Sequence, residues 1–119
     1  MAAAETAPAP KKRVALVSGG GSGIVRACVL AFAAGGMNVA VADVNADAVR
    51  ETCSEAAERG ARASAHRCDV ADEASVRDTV AEVASRHGRL DVLVTAAGVD
   101  LHQRLVDTTI TDWTRVLGI

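Results

Sequence analysis

The chain has 119 residues, half of them hydrophobic, and a formal charge of −2. That length holds one modest core, and a near balance of charge without a basic stripe excludes nucleic acid as a partner. The longest apolar stretch, around Ala27 to Met37, is too short for a bilayer and contains Gly35-Gly36, so no membrane partner is expected either. Cys28, Cys53 and Cys68 are odd in number and scattered, which favours reduced thiols and a cytoplasmic protein. No His, Cys and carboxylate spacing suits a metal.

Residues 1–12 are Ala/Pro-rich and carry Glu5 where a signal peptide would be basic, so they read as a disordered leader. Residues 13–119 read as one unit. Val14 to Val17 form an apolar strand that breaks into Ser18-Gly19-Gly20-Gly21-Ser22-Gly23. Behind that turn Ile24, Ala27, Cys28, Ala31 and Phe32 fall at helical spacing, which predicts a helix and places Cys28 in the core. A strand–turn–helix of this kind aims unpaired amides and the positive end of a helix dipole at one spot, a seat for a pyrophosphate. Its glycines allow close backbone approach. The spacing is not G-x-G-x-x-G in any register, and no Lys-Ser or Lys-Thr follows to make a P-loop.

Gly35-Gly36 ends the first helix, and Asn38 to Asp43 follows as a second strand with Val39 to Ala42 as its buried run. Asn45 caps a second helix that runs to about Arg59 and stops at Gly60. Ala61 to Cys68 is a weak, alanine-rich third strand. Asp72 opens a third helix with Val76, Val80 and Val83 on its inner face, closed by His87-Gly88. Leu90 to Thr95 is the fourth strand. The spacing of Thr109 to Asp112 predicts a capping box before a last helix carrying Trp113, Val116 and Leu117. Strands separated by single helices imply right-handed crossovers and a parallel sheet. The fold class is α/β, a Rossmann-type doubly wound sheet of four strands in the order 3-2-1-4, incomplete, with ligand at the carboxyl ends beside strands 1 and 4.

Three further positions fall at those carboxyl ends. Asp43 ends the second strand, where a carboxylate accepts ribose hydroxyls and repels a 2′-phosphate, which argues for NAD over NADP. It could also serve the helix start beside Asn45. Asp69-Val70 follows the third strand, and Thr95-Ala96-Ala97-Gly98 ends the fourth.

Ser18-Gly19-x-x-x-Gly23, Asp43, Asp69-Val70, Leu90 to Val94, Ala97-Gly98 and Trp113-x-x-Val116-Leu117 stand in the order and at the intervals of one family. From Arg13 to Ile119 the chain resembles the amino-terminal half of the short-chain dehydrogenase/reductase family. Val25 stands where that family's turn has its last glycine, and Thr95 and Ala96 stand where it has two asparagines. The resemblance implies an NAD-dependent oxidoreductase that interconverts an alcohol and a ketone, homo-oligomeric when complete. The cofactor-binding residues implied are Ser18, Gly19, Gly21, Ser22, Gly23, Ile24, Asp43, Asp69, Val70, Thr95, Ala97 and Gly98. Asp69 would meet the adenine amino group and Val70 would offer its backbone amide.

No catalytic residue is assigned. The family's Tyr-x-x-x-Lys has no counterpart, because the chain has no tyrosine, and the supporting Asn would follow Ile119. His66 and His87 read as solvated, and His102 lies in the loop where substrate would bind. Residues 13–119 are therefore expected to be a partial dinucleotide-binding domain, truncated before the catalytic half and inactive alone. A non-catalytic nucleotide-binding or regulatory module is the alternative. A methyltransferase also pairs a glycine turn with an acidic residue, but leaves the later motifs unexplained. The fourth strand, suited to a central position, becomes an edge.

Overall fold

A computed structural model describes residues 12–21 and 23–119; most of the leader expected at residues 1–12, and Ser22, lie outside the described residues. The elements alternate as expected: β1 (Val14–Ser18), α1 (Gly23–Ala34), β2 (Asn38–Asp43), α2 (Ala46–Glu58), β3 (Ala63–Arg67), α3 (Glu73–His87), β4 (Val92–Thr95) and α4 (Ile110–Leu117), with a 3-10 turn at Leu105–Asp107. The strands form one parallel sheet in the order β3-β2-β1-β4. The expected topology is the observed one.

Side chains of a strand alternate between faces, and the core divides accordingly. Val17, Val39 and Val41 join Val29 and Ala33 of α1 and Val49, Cys53 and Ala56 of α2 on one face. Val14, Leu16, Ala40 and Ala42 meet Val83 of α3 on the other. Small alanines on β2 let α3 lie close to the sheet. Caps fix the helix ends: Asn45 Oδ1 accepts from Ala48 N (3.1 Å) and Asp72 Oδ1 from Ala74 N (3.1 Å). Gly88 takes a left-handed φ of 73° after α3. Thr109 and Asp112 form a full capping box at α4.

At its leading end β4 is clasped to β1. Asp91 N donates to Val14 O (2.9 Å), and Asp91 Oδ2 accepts from Val14 N (2.8 Å). Arg89 grips the same carboxylate from both sides at 2.6 and 2.8 Å, which holds the Asp91 carboxyl below the usual carboxylate range.

Two helix faces differ from expectation. Cys28 is exposed rather than buried, as are Ala27 and Ala31, and Ile24 is 84% exposed. The buried side of α1 is Val29 and Ala33, with Val25 and Phe32 packed beside them. The helix is apolar on nearly every side, so periodicity alone does not select a face. Selection comes from α2, where Glu51 (3.3 Å) and Glu55 accept hydrogen bonds from Arg26. On α3 Thr79 is buried and Val80 is 41% exposed, because the sheet takes positions 76, 79 and 83 rather than 76, 80 and 83.

Candidate functional site

The glycine turn leaves β1 and folds back over β2. Gly19 N and Gly20 N both point at Ala42 O, at 2.8 and 3.4 Å. Gly19 has φ 78°, and a Cβ there would lie 2.9 Å from the Ala97 backbone. A Cβ on Gly20 would lie 2.4 Å from Val41 Cγ1, and one on Gly21 would lie 3.0 Å from both Asp43 Oδ2 and Ala48 Cβ. Three consecutive glycines are thus demanded by packing as well as by any ligand. Gly23, with φ 64°, opens α1 with no atom within 4 Å of a would-be Cβ.

Asp43 is oriented by the backbone around it. Its Oδ2 accepts from Gly21 N (3.2 Å) and its Oδ1 from Asn45 N (3.1 Å). The carboxylate supports the start of α2 and stays half-buried at the cleft rim. Each oxygen keeps a further lone pair for an outside donor. Asp69 is built into a turn, its N donating to Ser75 Oγ (3.0 Å) and its Oδ1 accepting from Ala71 N (3.0 Å).

A cleft of about 340 Å³ lies at the carboxyl ends of the strands and is lined by Gly19, Asp43, Asp69, Val70, Ala97 and Gly98 among others. Those six of the residues expected at the site come together there. Thr95 lines an adjoining hollow with Ser18, Val70 and Ala97. Ser18 is nearly buried, and its hydroxyl works inward, donating to Val94 O (3.4 Å) and accepting from Ala96 N (3.3 Å). Gly21 is buried beneath the rim. Ile24 points to solvent, and Val25 lines the cleft in its place. Ser22 lies outside the described residues. The lining carries the carboxylates of Asp43 and Asp69 and no Lys or Arg among the described residues.

Thr52 of α2 escaped the sequence reading. It is fully buried, and its hydroxyl lies 3.0 Å from both Gly20 O and Ala48 O, bracing the glycine turn from behind. A polar residue at a core position of the α2 pattern, otherwise Val49, Cys53 and Ala56, is the signal that would have found it. Cys68 also lines the cleft unforeseen. The expected roles of the histidines change. His102 is exposed and 3.0 Å from Asp100, and it does not line the cleft. His66 is buried, at 3% exposed, and His87 is half-buried; both rings contact Ser64 Oγ. Ser64 and His66 occupy alternate positions of a strand whose inner face lies under α3, a face that alanine-rich patterning conceals.

A family model described as short chain dehydrogenase matches residues 13–119. The chain belongs to the short-chain dehydrogenase family. It is 40% identical over 110 residues to D-threitol dehydrogenase of Mycolicibacterium smegmatis, covering 90% of this chain and 41% of that protein. To meso-2,3-butanediol dehydrogenase of Serratia marcescens it is 35% identical over 107 residues, covering 90% and 42%. Among solved structures it superposes on NAD+-bound xylitol dehydrogenase with TM-score 0.87 and 32% identity, covering 92% of this chain and 43% of that one. On 3-ketoacyl-(acyl-carrier-protein) reductase of Brucella melitensis complexed with NADH, the TM-score is 0.83 at 30% identity, with 89% and 43% covered. The chain thus spans about two-fifths of the length of these short-chain dehydrogenases. Among the described residues no helix is long and apolar enough to cross a membrane, and no group of three or more His, Cys, Asp or Glu could hold a metal ion.

Proposed function

We propose that residues 13–119 are the NAD-binding part of an oxidoreductase that interconverts a small alcohol and a ketone by hydride transfer. The observation that carries this reading is the Asp43 carboxylate, fixed at the cleft rim by Gly21 N and Asn45 N with lone pairs left for two ribose hydroxyls. The residues suit the cofactor. Gly98 lines the cleft with open space where a Cβ would stand, and Gly19 presents bare backbone beside it. Bound NAD would supply the hydride acceptor. Asp43 would hold the adenosine ribose, Asp69 and Val70 the adenine, and the start of α1 the pyrophosphate. Ser18 and Thr95 would act from below, through the backbone that floors the cleft. The NAD+-bound and NADH-bound relatives support a nicotinamide cofactor, and Asp43 is the reason to choose NAD.

Hydride transfer needs a coupled proton transfer, and the Tyr-x-x-x-Lys expected to perform it has no counterpart in a chain without tyrosine. The 119 residues alone are expected not to turn over an alcohol or ketone. The complete protein is read as a cytoplasmic homo-oligomer. The test is titration of NAD and NADP into the chain and into Asp43→Ser. The expected result is a wide preference for NAD that shrinks in the variant. Equal binding of both cofactors by the unmodified chain would overturn the assignment.

A further inference from the structure

Four polar side chains form a relay between β3 and α3, buried at Ser64 and His66, half-buried at His87 and exposed at Glu82. Ser64 and His66 project from the same face of β3, two residues apart. Ser64 Oγ lies 2.8 Å from His66 Nε2 and 2.8 Å from His87 Nε2, and His66 Nδ1 lies 3.0 Å from Glu82 Oε2. Ser64 is 6% exposed and His66 3%. His87 Nδ1, at the end of α3, is buried with no partner.

Proton counting leaves one neutral arrangement. A carboxylate only accepts, so His66 Nδ1–H donates to Glu82 and His66 Nε2 must accept. Ser64 has one hydroxyl hydrogen, which satisfies that acceptor. His87 Nε2–H then donates to Ser64 Oγ, and the lone pair of His87 Nδ1 is left over. An added proton on either imidazole breaks this set. On His87 it creates an Nδ1–H donor with no acceptor, beside Arg62 and Arg86. On His66 it makes Nε2 a donor, so that either the Ser64 hydroxyl or, after a tautomer change, His87 Nδ1–H has nowhere to donate. Glu82 supplies no acceptor for the orphaned hydrogen.

We propose that Ser64, His66, His87 and Glu82 form an acid-released latch that fastens the carboxyl end of α3 to β3. The direction of the His87 titration agrees: burial first, then Arg62, His66 and Arg86, holds its pKa below the ordinary imidazole value. A lowered folded pKa means that the unfolded or opened form binds the extra proton more readily. The latch is therefore fully closed above the ordinary imidazole pKa and opens as pH falls through it toward the lower value. The charged and titratable groups around the latch are Arg62 and His66 with β3, and Glu82 and Arg86 with α3.

The test is imidazole NMR titration together with amide hydrogen exchange, corrected for intrinsic rates, on the whole chain between pH 7.5 and 5.5. Protection in residues 63–67 and 82–88 is expected to fall about tenfold per pH unit once one coupled proton is bound, while β1, β2 and α2 hold. His87→Gln, which keeps a donor for Ser64 but cannot titrate, is expected to flatten that dependence. Should His87→Gln not fold, the wild-type titration still decides, because the proposal requires His87 to titrate below the ordinary imidazole value in step with the loss of protection. It is overturned if His87 titrates at the ordinary value, or if residues 63–67 and 82–88 lack protection at pH 7.5. Loss spread evenly over the sheet, or an unchanged dependence in a folded His87→Gln, also overturns it.

Discussion

Strands β1 and β4 are neighbours in the sheet and nearly interchangeable in composition, yet every residue of β1 is buried and none of β4 is. The same contrast separates α2, which buries Val49, Thr52, Cys53 and Ala56, from α4, which buries nothing although Ile110, Trp113 and Leu117 share one side. Burial is thus a property of an element's neighbours rather than of its own residues. β1 has a strand on each edge and helices over both faces, whereas β4 has one strand and an open edge, with Leu93 60% exposed.

The largest expected effect tests that contrast directly. Val41→Asp places an unpaired carboxylate where β2 is fully buried, a cost above about 4 kcal/mol that leaves no cooperative melt in circular dichroism. Leu93→Asp should shift stability by no more than about 0.5 kcal/mol and should reduce self-association through the open β4 edge in light scattering. Equal losses at the two positions would break the comparison.

The glycine turn belongs to the buried half. Gly20→Ala forces a Cβ to 2.4 Å from Val41 Cγ1, an overpacking cost of about 1–3 kcal/mol in urea denaturation. Gly98→Ala, with nothing within 4 Å, should leave stability unchanged. Val25 sharpens the distinction, because it packs on the core and also lines the cleft. Val25→Gly should weaken the fold by about 1 kcal/mol while raising NAD affinity in calorimetry. No gain in affinity would mean that the turn tolerates the branched side chain.

The smallest global effect falls on α4. Thr109→Ala removes a cap worth about 1 kcal/mol, and it should lower helicity in residues 110–117 without moving the midpoint of the main transition. The Asp112 carboxyl is held below its usual range, first by the Thr109 amide and then by Gln103 and the Thr109 side chain. Its contribution should therefore be full above the ordinary carboxylate value and be lost progressively as pH falls from there through the lowered one. Loss of α4 amide protection against pH checks this.

The sheet order was legible because each apolar run is bounded by glycine or a capping residue, as at Gly35-Gly36, Asn45, Gly60 and Asp72. The cleft was legible at Gly19, Asp43, Asp69, Val70, Ala97 and Gly98, whose place at strand ends follows from topology alone. Cys28 misled because α1 is apolar all round, so its inner face is set by α2 through Arg26. His66 and His87 misled because β3 alternates alanine with polar residues, and the pattern does not say which set lies under α3. Thr52 was missed since its partner, Gly20 O, belongs to a segment 32 residues away.

The clasp at Asp91 has a consequence for the order of events as the chain leaves the ribosome. β1 meets β2 soon after both exist, but its other edge waits until a residue 77 positions later arrives. Contacts so distant in sequence form slowly, and a strand slipped by one residue would present the wrong face to each layer. Asp91 answers Val14 twice, by backbone and by carboxylate, while Arg89 keeps that carboxylate charged and aimed. The last strand is thereby indexed at its first residue, before its apolar side chains have anything to choose between.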